Sequence, residues 1–68
     1  MIDIISGLNF KHRDESFAVF VKEVNKESNE LKVTVHSNGG KGYCWPETWN
    51  LAHTISGFND GTYVKVGL

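Results

Sequence analysis

The segment covering residues 31–42 constrains the fold most, because an alternating apolar strand runs directly into a turn sequence. Leu31, Val33 and Val35 alternate with polar residues, which is the period-two pattern of a strand with one buried face. The Asn-Gly-Gly sequence at residues 38–40 follows, and these residue types adopt the positive φ angles that tight β-hairpins require. The chain therefore reverses here, and the residues after the turn are predicted to form a second antiparallel strand.

The length of this hairpin loop decides which residues of the second strand face the core, because side chains alternate between the two faces of a sheet. A two-residue loop would place Cys44 opposite Val33, with Tyr43 and Trp45 pointing outward. A three- or five-residue loop would instead place Tyr43 and Trp45 beside Val35 and Val33. Burying two large aromatic side chains stabilises a fold by several kcal/mol, at about 25 cal/mol per Å² of apolar surface. We therefore predict an odd-length loop.

Three further strands follow from the same kind of pattern, at residues 7–12, 17–24 and 62–66. The second of them is the most apolar run in the chain and carries apolar side chains on both faces. The residues predicted to share one face are Phe17, Val19 and Val21, and those on the other are Ala18, Phe20 and Val24. This pattern favours a central, strongly bent strand that is buried on both sides for part of its length.

After Pro46 the apolar period changes from that of a strand to that of a helix. The residues at helical spacing are Trp49, Ala52 and Ile55. We therefore expect a short helix, with Thr48 or Asn50 capping its start. Gly57 fits the left-handed residue that ends a helix, with Phe58 supplying the apolar contact that accompanies such an ending.

These elements amount to a single mainly β domain covering residues 1–68, with about five short antiparallel strands and one short helix before the last strand. The order of elements resembles that of the small SH3-like barrels, and the resemblance covers nearly the whole chain. It implies that the strands form a small barrel. The chain lacks the acidic and aromatic loop pattern of peptide-binding SH3 domains, so the resemblance does not extend to their ligands.

A second resemblance concerns residues 49–63, which read Trp-Asn-Leu-Ala-His-Thr-Ile-Ser-Gly-Phe-Asn-Asp-Gly-Thr-Tyr. This segment is similar to a stretch found in short proteins of bacterial phages and mobile elements, which implies a small cytoplasmic accessory protein. Cys44 is the only cysteine, which excludes a disulfide within the chain and fits a reducing compartment. No apolar run approaches the ~20 residues that span a bilayer, and residues 1–5 lack the features of a signal peptide.

The residues that could carry metal binding or catalysis do not form a recognisable pattern. The candidate metal ligands, which are His12, His36, His53 and Cys44, show no paired spacing. Cys44 is predicted to lie mid-strand between two aromatic residues, where a partly buried and inert thiol is expected. The glycines at residues 39–42 lack the following helix and hydroxyl residue of a phosphate-binding loop. We expect no metal site, no cofactor and no catalytic residue.

The aromatic residues after the hairpin loop are the best candidates for a binding surface. Tyr43, Trp45 and Trp49 lie close together in the sequence, with Lys41 and His53 on either side of them. Exposed aromatic residues suit the docking of a peptide, whereas in so small a domain the alternative is that they form the core. We expect one tryptophan to pack inward and one to lie at the rim, beside Lys41 or His53. The predicted function is protein–protein interaction through the surface near Trp45 and Trp49.

Two alternatives stay open at this point. A marginal core could be completed by self-association through an exposed strand edge or an apolar patch. Weak nucleic-acid binding would use the basic residues Lys11, His12, Arg13 and Lys32. Seven basic and eight acidic residues give a net charge of −1, which does not favour a dedicated nucleic-acid-binding protein.

Overall fold

The computed structural model describes residues 3–37 and 42–66, which form one five-stranded antiparallel sheet and one helix. The elements in chain order are β1 (Asn9–His12), β2 (Ala18–Asn25), β3 (Glu30–His36), β4 (Cys44–Asn50), α1 (Leu51–Asn59) and β5 (Tyr63–Lys65). The strand order across the sheet is β4-β3-β2-β1-β5. The predicted mainly β fold, with one short helix before the last strand, is confirmed. In the described part of the chain, no helix is long and apolar enough to cross a membrane.

The middle strand, β2, contains a bulge that changes the face on which its last apolar residue lies. Upstream of the bulge, Val21 pairs with Val33 of β3. The register shifts between Val21 and Glu23, and beyond the shift Val24 pairs with Leu31. A bulge adds one residue to a strand, so the following side chains change faces. Val24 therefore packs against the core, and its predicted place on the opposite face of β2 is wrong, although the central position of this strand is confirmed.

The hydrophobic core lies on one face of the sheet and is centred on Phe10, which is 0% exposed. The Phe10 ring meets three other rings edge-on, those of Trp49, Phe58 and Tyr63, at centroid distances of 5.9, 4.9 and 5.2 Å. Aromatic pairs of this kind contribute about 0.5–1.5 kcal/mol each beyond the burial of their surface. The other buried apolar residues are Ile4, Leu8, Val19, Val21, Leu31, Val33 and Val35. The predicted inward face of β3 is confirmed.

The sheet curls so strongly that its two edge strands approach each other through their side chains. Trp49 lies on β4 and Tyr63 on β5, at opposite ends of the strand order, yet their ring centroids are 5.8 Å apart. In a flat sheet of five strands the two edges would be about 19 Å apart, since neighbouring strands lie about 4.8 Å apart. Phe10 occupies the concave side between them. Aromatic rings thus bridge the edges of a sheet whose backbone ladder stays open.

Helix α1 begins later than the sequence pattern predicted, because the preceding strand is longer than expected. Trp49 lies in β4 and not in the helix, because β4 continues through Asn50. In this strand Trp49 pairs with Leu31, and the pairing and core burial outweigh a weak local preference for helix. Asn50 is the N-cap residue, as predicted, and its Oδ1 accepts a hydrogen bond of 2.9 Å from the backbone N–H of His53.

The turn between β2 and β3 also holds the start of α1. Asn29 has a φ of 58°, a left-handed conformation that asparagine adopts more readily than most residues. Its carbonyl oxygen accepts a hydrogen bond of 2.9 Å from the N–H of Leu51, and its Oδ1 accepts one of 3.1 Å from the N–H of Ala52. The first N–H groups of a helix have no partners within the helix. The side chain and backbone of Asn29 supply two of those partners.

Gly57 lies inside α1, so its predicted role as the left-handed residue that ends the helix is wrong. The helix continues to Asn59, and the positive φ, of 85°, falls at Gly61. Gly57 instead faces β5, where a Cβ at this position would overlap Cδ2 and Cε2 of Tyr63. The absence of a side chain at Gly57 therefore lets the Tyr63 ring pack directly on the helix.

Candidate functional site

The candidate site lies on β4, whose pairing with β3 determines the direction of its side chains. The paired residues are Val35 with Trp45, Val33 with Glu47, and Leu31 with Trp49. Residues directly opposite each other in an antiparallel pair have their side chains on the same face. Trp45, Glu47 and Trp49 therefore point to the concave side of the sheet, in line with the buried residues of β3.

The odd-length loop is confirmed, but the pairing is displaced by two residues from the one predicted. Trp45 lies opposite Val35, where Val33 was expected. Ser37 closes the loop, because its N–H donates to the carbonyl of Tyr43 at 2.9 Å and its Oγ accepts from the N–H of Tyr43 at 2.9 Å. Tyr43 thus lies beyond the last pair of β3 with β4, and the residue is 85% exposed. The predicted burial of Tyr43 beside Val35 is wrong.

Trp45, Glu47 and Trp49 form a hydrogen-bonded row that we name the indole–carboxylate cluster. The Nε1 of Trp45 donates to Oε2 of Glu47, and the Nε1 of Trp49 donates to Oε1 of Glu47 at 2.7 Å. Residues two positions apart on a strand lie on the same face, about 6.6–7 Å from each other. This spacing lets one carboxylate reach both indoles, and each of its oxygens is held by a different ring.

The two indole groups stabilise the charged form of Glu47. Hydrogen bonds to an ionised carboxylate lower its pKa, and those from Trp45 first and Trp49 second hold the pKa of Glu47 below its usual value. The side chain is exposed to solvent. The described residues contain two ion pairs within 4.0 Å, neither of which involves Glu47. The cluster therefore presents a negatively charged carboxylate that is held in place by two neutral indole N–H groups.

The two tryptophans of the cluster differ in their burial. Trp49 is half-buried, and its ring lies 5.9 Å from that of Phe10 and 5.8 Å from that of Tyr63, between centroids, so it packs against the core. Trp45 is 40% exposed. The structure thus has one tryptophan packed inward and one at the rim, where Tyr43 is more exposed still.

The two remaining members of the predicted surface are Lys41 and His53. Lys41 lies outside the described residues, as does the Asn-Gly-Gly turn predicted at residues 38–40. His53 is exposed on α1. It lines a shallow cavity of about 270 Å³ whose other lining residues are Trp49, Asn50, Thr54 and Tyr63. His53 is therefore next to Trp49, the half-buried tryptophan of the cluster, and Trp45 does not line this cavity.

The basic residues proposed for nucleic-acid binding do not form one surface. Lys11 and Lys32 both point to the convex side, but they pair with Ala18 and Glu23, which lie near opposite ends of β2. Arg13 and Lys32 each lie within 4.0 Å of an acidic side chain. His12 points to the concave side, where its ring centroid is 5.9 Å from that of Tyr63. These positions do not favour a continuous basic patch.

Cys44 is exposed at the start of β4, so the prediction of a partly buried thiol is wrong. The reason is that β4 is an edge strand and Cys44 points to the convex side, opposite His36. Within residues 3–37 and 42–66, no group of three or more His, Cys, Asp and Glu side chains could hold a metal ion.

The free edge of β4 is interrupted by a proline. Residue pairs in an antiparallel ladder alternate between pairs that are hydrogen-bonded through the backbone and pairs that are not. Backbone hydrogen bonds join Ser37 to Tyr43 and Leu51 to Asn29. The odd-numbered residues of β4 are therefore the ones that bond to β3. The even-numbered residues then direct their backbone groups away from β3. Pro46 is one of these and has no N–H to offer. An edge proline hinders the addition of another strand, so what β4 offers at its free edge is mainly its side chains.

Glu47 is the candidate binding residue that the sequence prediction missed. Its signal is the Trp-Pro-Glu-Thr-Trp spacing, in which residues 45, 47 and 49 share one face if the segment is a strand. Assigning Trp49 to a helix removed it from that row and hid the carboxylate between the two indoles.

Comparisons with known proteins add no relative to this description. No protein-family model matches the chain, and neither a curated protein nor a solved structure matches it. The interpretation of the site therefore depends on its geometry.

Proposed function

We propose that this chain is a non-catalytic binding module that docks another protein on the surface formed by Tyr43 and the indole–carboxylate cluster. The observation that carries the proposal is the exposure of Tyr43 and Trp45 on the rim of a strand that is fixed by its pairing with β3. Tryptophan and tyrosine are among the residues that contribute most of the binding energy at protein interfaces.

The order of the Trp45 side chain makes it a better anchor than a freely rotating aromatic residue. Its indole N–H is already bonded to Glu47, so the ring loses little rotational freedom when a partner covers it. Immobilising a mobile side chain at an interface costs about 0.5–1.5 kcal/mol. The hydrogen bond reduces that cost before the partner arrives.

A protein partner fits the electrostatics of the surface better than a nucleic acid does. The cluster presents the negative charge of Glu47, which repels phosphate groups. The basic residues Lys11 and Lys32 lie apart from each other on the convex side. Binding to DNA or RNA would require a concentration of positive charge that these positions do not provide.

Self-association is a second candidate function, which the exposed apolar residues Val64 and Val66 favour. Pro46 opposes a version in which two copies pair through their β4 edges. Sedimentation velocity over a range of concentrations tests this candidate. A concentration-independent species of 7.6 kDa would exclude it.

We further propose that the domain is a small SH3-like barrel located in the cytoplasm, as expected from the sequence. The strand and helix order and the 5.8 Å approach of the Trp49 and Tyr63 rings support a barrel-like shape. The exposed free thiol of Cys44 supports a reducing compartment.

Selection of peptides from a random phage-displayed library against the immobilised full chain tests the docking surface. The double variant Tyr43→Ala/Trp45→Ala is expected to bind the selected peptides at least about 30-fold more weakly, since one interface hot spot contributes 2 kcal/mol or more. Peptide binding should also reduce the quenching of tryptophan fluorescence by acrylamide.

The matched control is Val64→Ala/Val66→Ala, which removes exposed apolar surface from β5 and its flank, away from β4. This variant should bind the same peptides as well as the wild type does. If peptides bind the Tyr43→Ala/Trp45→Ala variant and the wild type equally, the docking surface lies elsewhere and the proposal is wrong.

A further inference from the structure

The carboxylate of Glu47 can accept more hydrogen bonds than the two indoles supply. An ionised carboxylate has about four acceptor positions, and each oxygen of Glu47 receives one indole N–H. Each oxygen therefore keeps acceptor capacity, and the exposure of the side chain leaves that capacity accessible to a ligand. The two indole bonds hold the oxygens in position, so an incoming donor meets a carboxylate of fixed orientation.

The charge of the cluster specifies the sign of the complementary group. Both bound donors are neutral indoles, so the negative charge of Glu47 is stabilised but not neutralised. The two ion pairs among the described residues are Arg13 with Asp14 and Lys32 with Glu23, and neither includes Glu47. The group that fits this position is a cation carrying N–H donors.

The aromatic surroundings distinguish between the possible cations. A divalent metal ion prefers several oxygen ligands, whereas the described part of the chain has no group of three or more ligating side chains. A lysine ammonium is a compact and strongly hydrated charge. An arginine guanidinium is planar and more weakly hydrated, it presents a fork of donors that matches a carboxylate, and it stacks on aromatic rings. Trp45, a residue that is 40% exposed and bonded to Glu47, offers its indole as such a stacking surface beside the carboxylate.

We infer that the indole–carboxylate cluster binds an arginine side chain of the partner protein, with the guanidinium bonded to Glu47 and stacked on the exposed ring of Trp45. The inference depends on the proposed docking surface and names the residue that this surface selects. Trp49 serves as a positioning residue, because its ring packs against Phe10 and its N–H fixes one oxygen of the carboxylate.

The experiment uses peptides selected on the full chain that require Tyr43 and Trp45 for binding. These peptides should be enriched in arginine over the starting library. In one such peptide the arginine is replaced by citrulline, which keeps the shape but removes the charge, or by lysine. Citrulline is expected to weaken binding by about 10- to 100-fold, the usual contribution of a hydrogen bond to a charged group, and lysine should weaken it as well.

The protein side of the experiment is Glu47→Gln, with Glu15→Gln as the matched control at an exposed turn position. Glu47→Gln should weaken binding of the arginine peptide to a similar extent. The variant should bind the citrulline peptide almost as well as it binds the arginine peptide, because the two changes remove the same interaction. Glu15→Gln should bind as the wild type does. The peptide replacements leave the domain unchanged, so they remain decisive even if Glu47→Gln disturbs the indoles.

The outcomes separate the two proposals. Peptides that require Tyr43 and Trp45 but bind equally well with citrulline would overturn the arginine inference and leave the docking surface in place. Equal binding of lysine and arginine peptides would overturn the assignment to a guanidinium. Peptides that do not require Tyr43 and Trp45 would overturn the proposed function itself.

Discussion

Replacing Gly57 by alanine tests how closely helix α1 and strand β5 approach each other. A Cβ at this position would lie 3.4 Å from Cγ of Tyr63 and closer still to Cδ2 and Cε2. The Tyr63 ring has little room to turn away, because its centroid lies 5.2 Å from that of Phe10 and 5.9 Å from that of Phe58. The added methyl group must therefore displace an aromatic ring of the core.

Two opposing contributions determine the size of the effect. Alanine is a better helix former than glycine by about 1 kcal/mol, which favours the variant. Forcing an extra methyl group into a packed core costs about 1–3 kcal/mol, and the overlap with two ring atoms places Gly57→Ala at the upper end. We expect a net loss of about 1–2 kcal/mol. In a domain of this size that corresponds to a decrease in Tm of roughly 5–15 °C.

Thermal unfolding followed by circular dichroism measures the decrease. Ser56→Ala, on the exposed side of the same helix, is the matched control and should leave Tm unchanged or slightly raised. In a Tyr63→Val background the ring is absent, so Gly57→Ala should become stabilising by about 1 kcal/mol through helix propensity alone. A Tm that stays the same or rises when Gly57→Ala is made in the wild-type chain would refute this reasoning.

Three other substitutions probe the core, the helix cap and the cluster. Phe10→Ala should lower the free energy of unfolding by about 3–5 kcal/mol, which is comparable to the whole stability of so small a domain. An amide NMR spectrum that stays dispersed in this variant would contradict the central place of the Phe10 ring. Asn50→Ala should lower the free energy of unfolding, measured with urea, by about 1 kcal/mol, whereas Asn50→Asp keeps the cap. Equal decreases in the two variants would contradict the capping role of Asn50. Because the folded pKa of Glu47 is lowered, its charge stabilises the fold at neutral pH. That advantage over Glu47→Gln should therefore disappear as the pH falls through and below the usual glutamate value of about 4.3, and an advantage independent of pH would contradict the indole bonds.

Alternation of apolar and polar residues was sufficient to orient the strands, but it did not determine their pairing. Leu31, Val33 and Val35 could be placed inside because a strand with one buried face must alternate, and they are 0, 1 and 4% exposed. A shift of two residues along the neighbouring strand keeps every side chain on its face. The face of Trp45 could therefore be predicted, whereas its partner on β3 could not.

The errors occur where tertiary contacts override local patterns. The bulge after Val21 moves Val24 to the core side. The alternation of apolar and polar residues gives no signal for the extra residue that a bulge inserts. Trp49 fits a helical spacing with the residues after it, but its pairing with Leu31 keeps it in β4. This second error affected the prediction of the candidate site most. Glu47 can be recognised as the residue between the two indoles only when both tryptophans are assigned to the same strand.

The bonds that Asn29 makes to the first amides of α1 join parts of the chain that are distant in sequence, since Ala52 lies 23 positions after Asn29. A helix of nine residues is too short to persist in water by itself. Because its opening amides find their partners on a hairpin turn, the helix becomes favourable only after β2 and β3 have paired. Folding of this domain is therefore expected to begin with that hairpin and to be limited by the closure of long loops rather than by helix nucleation.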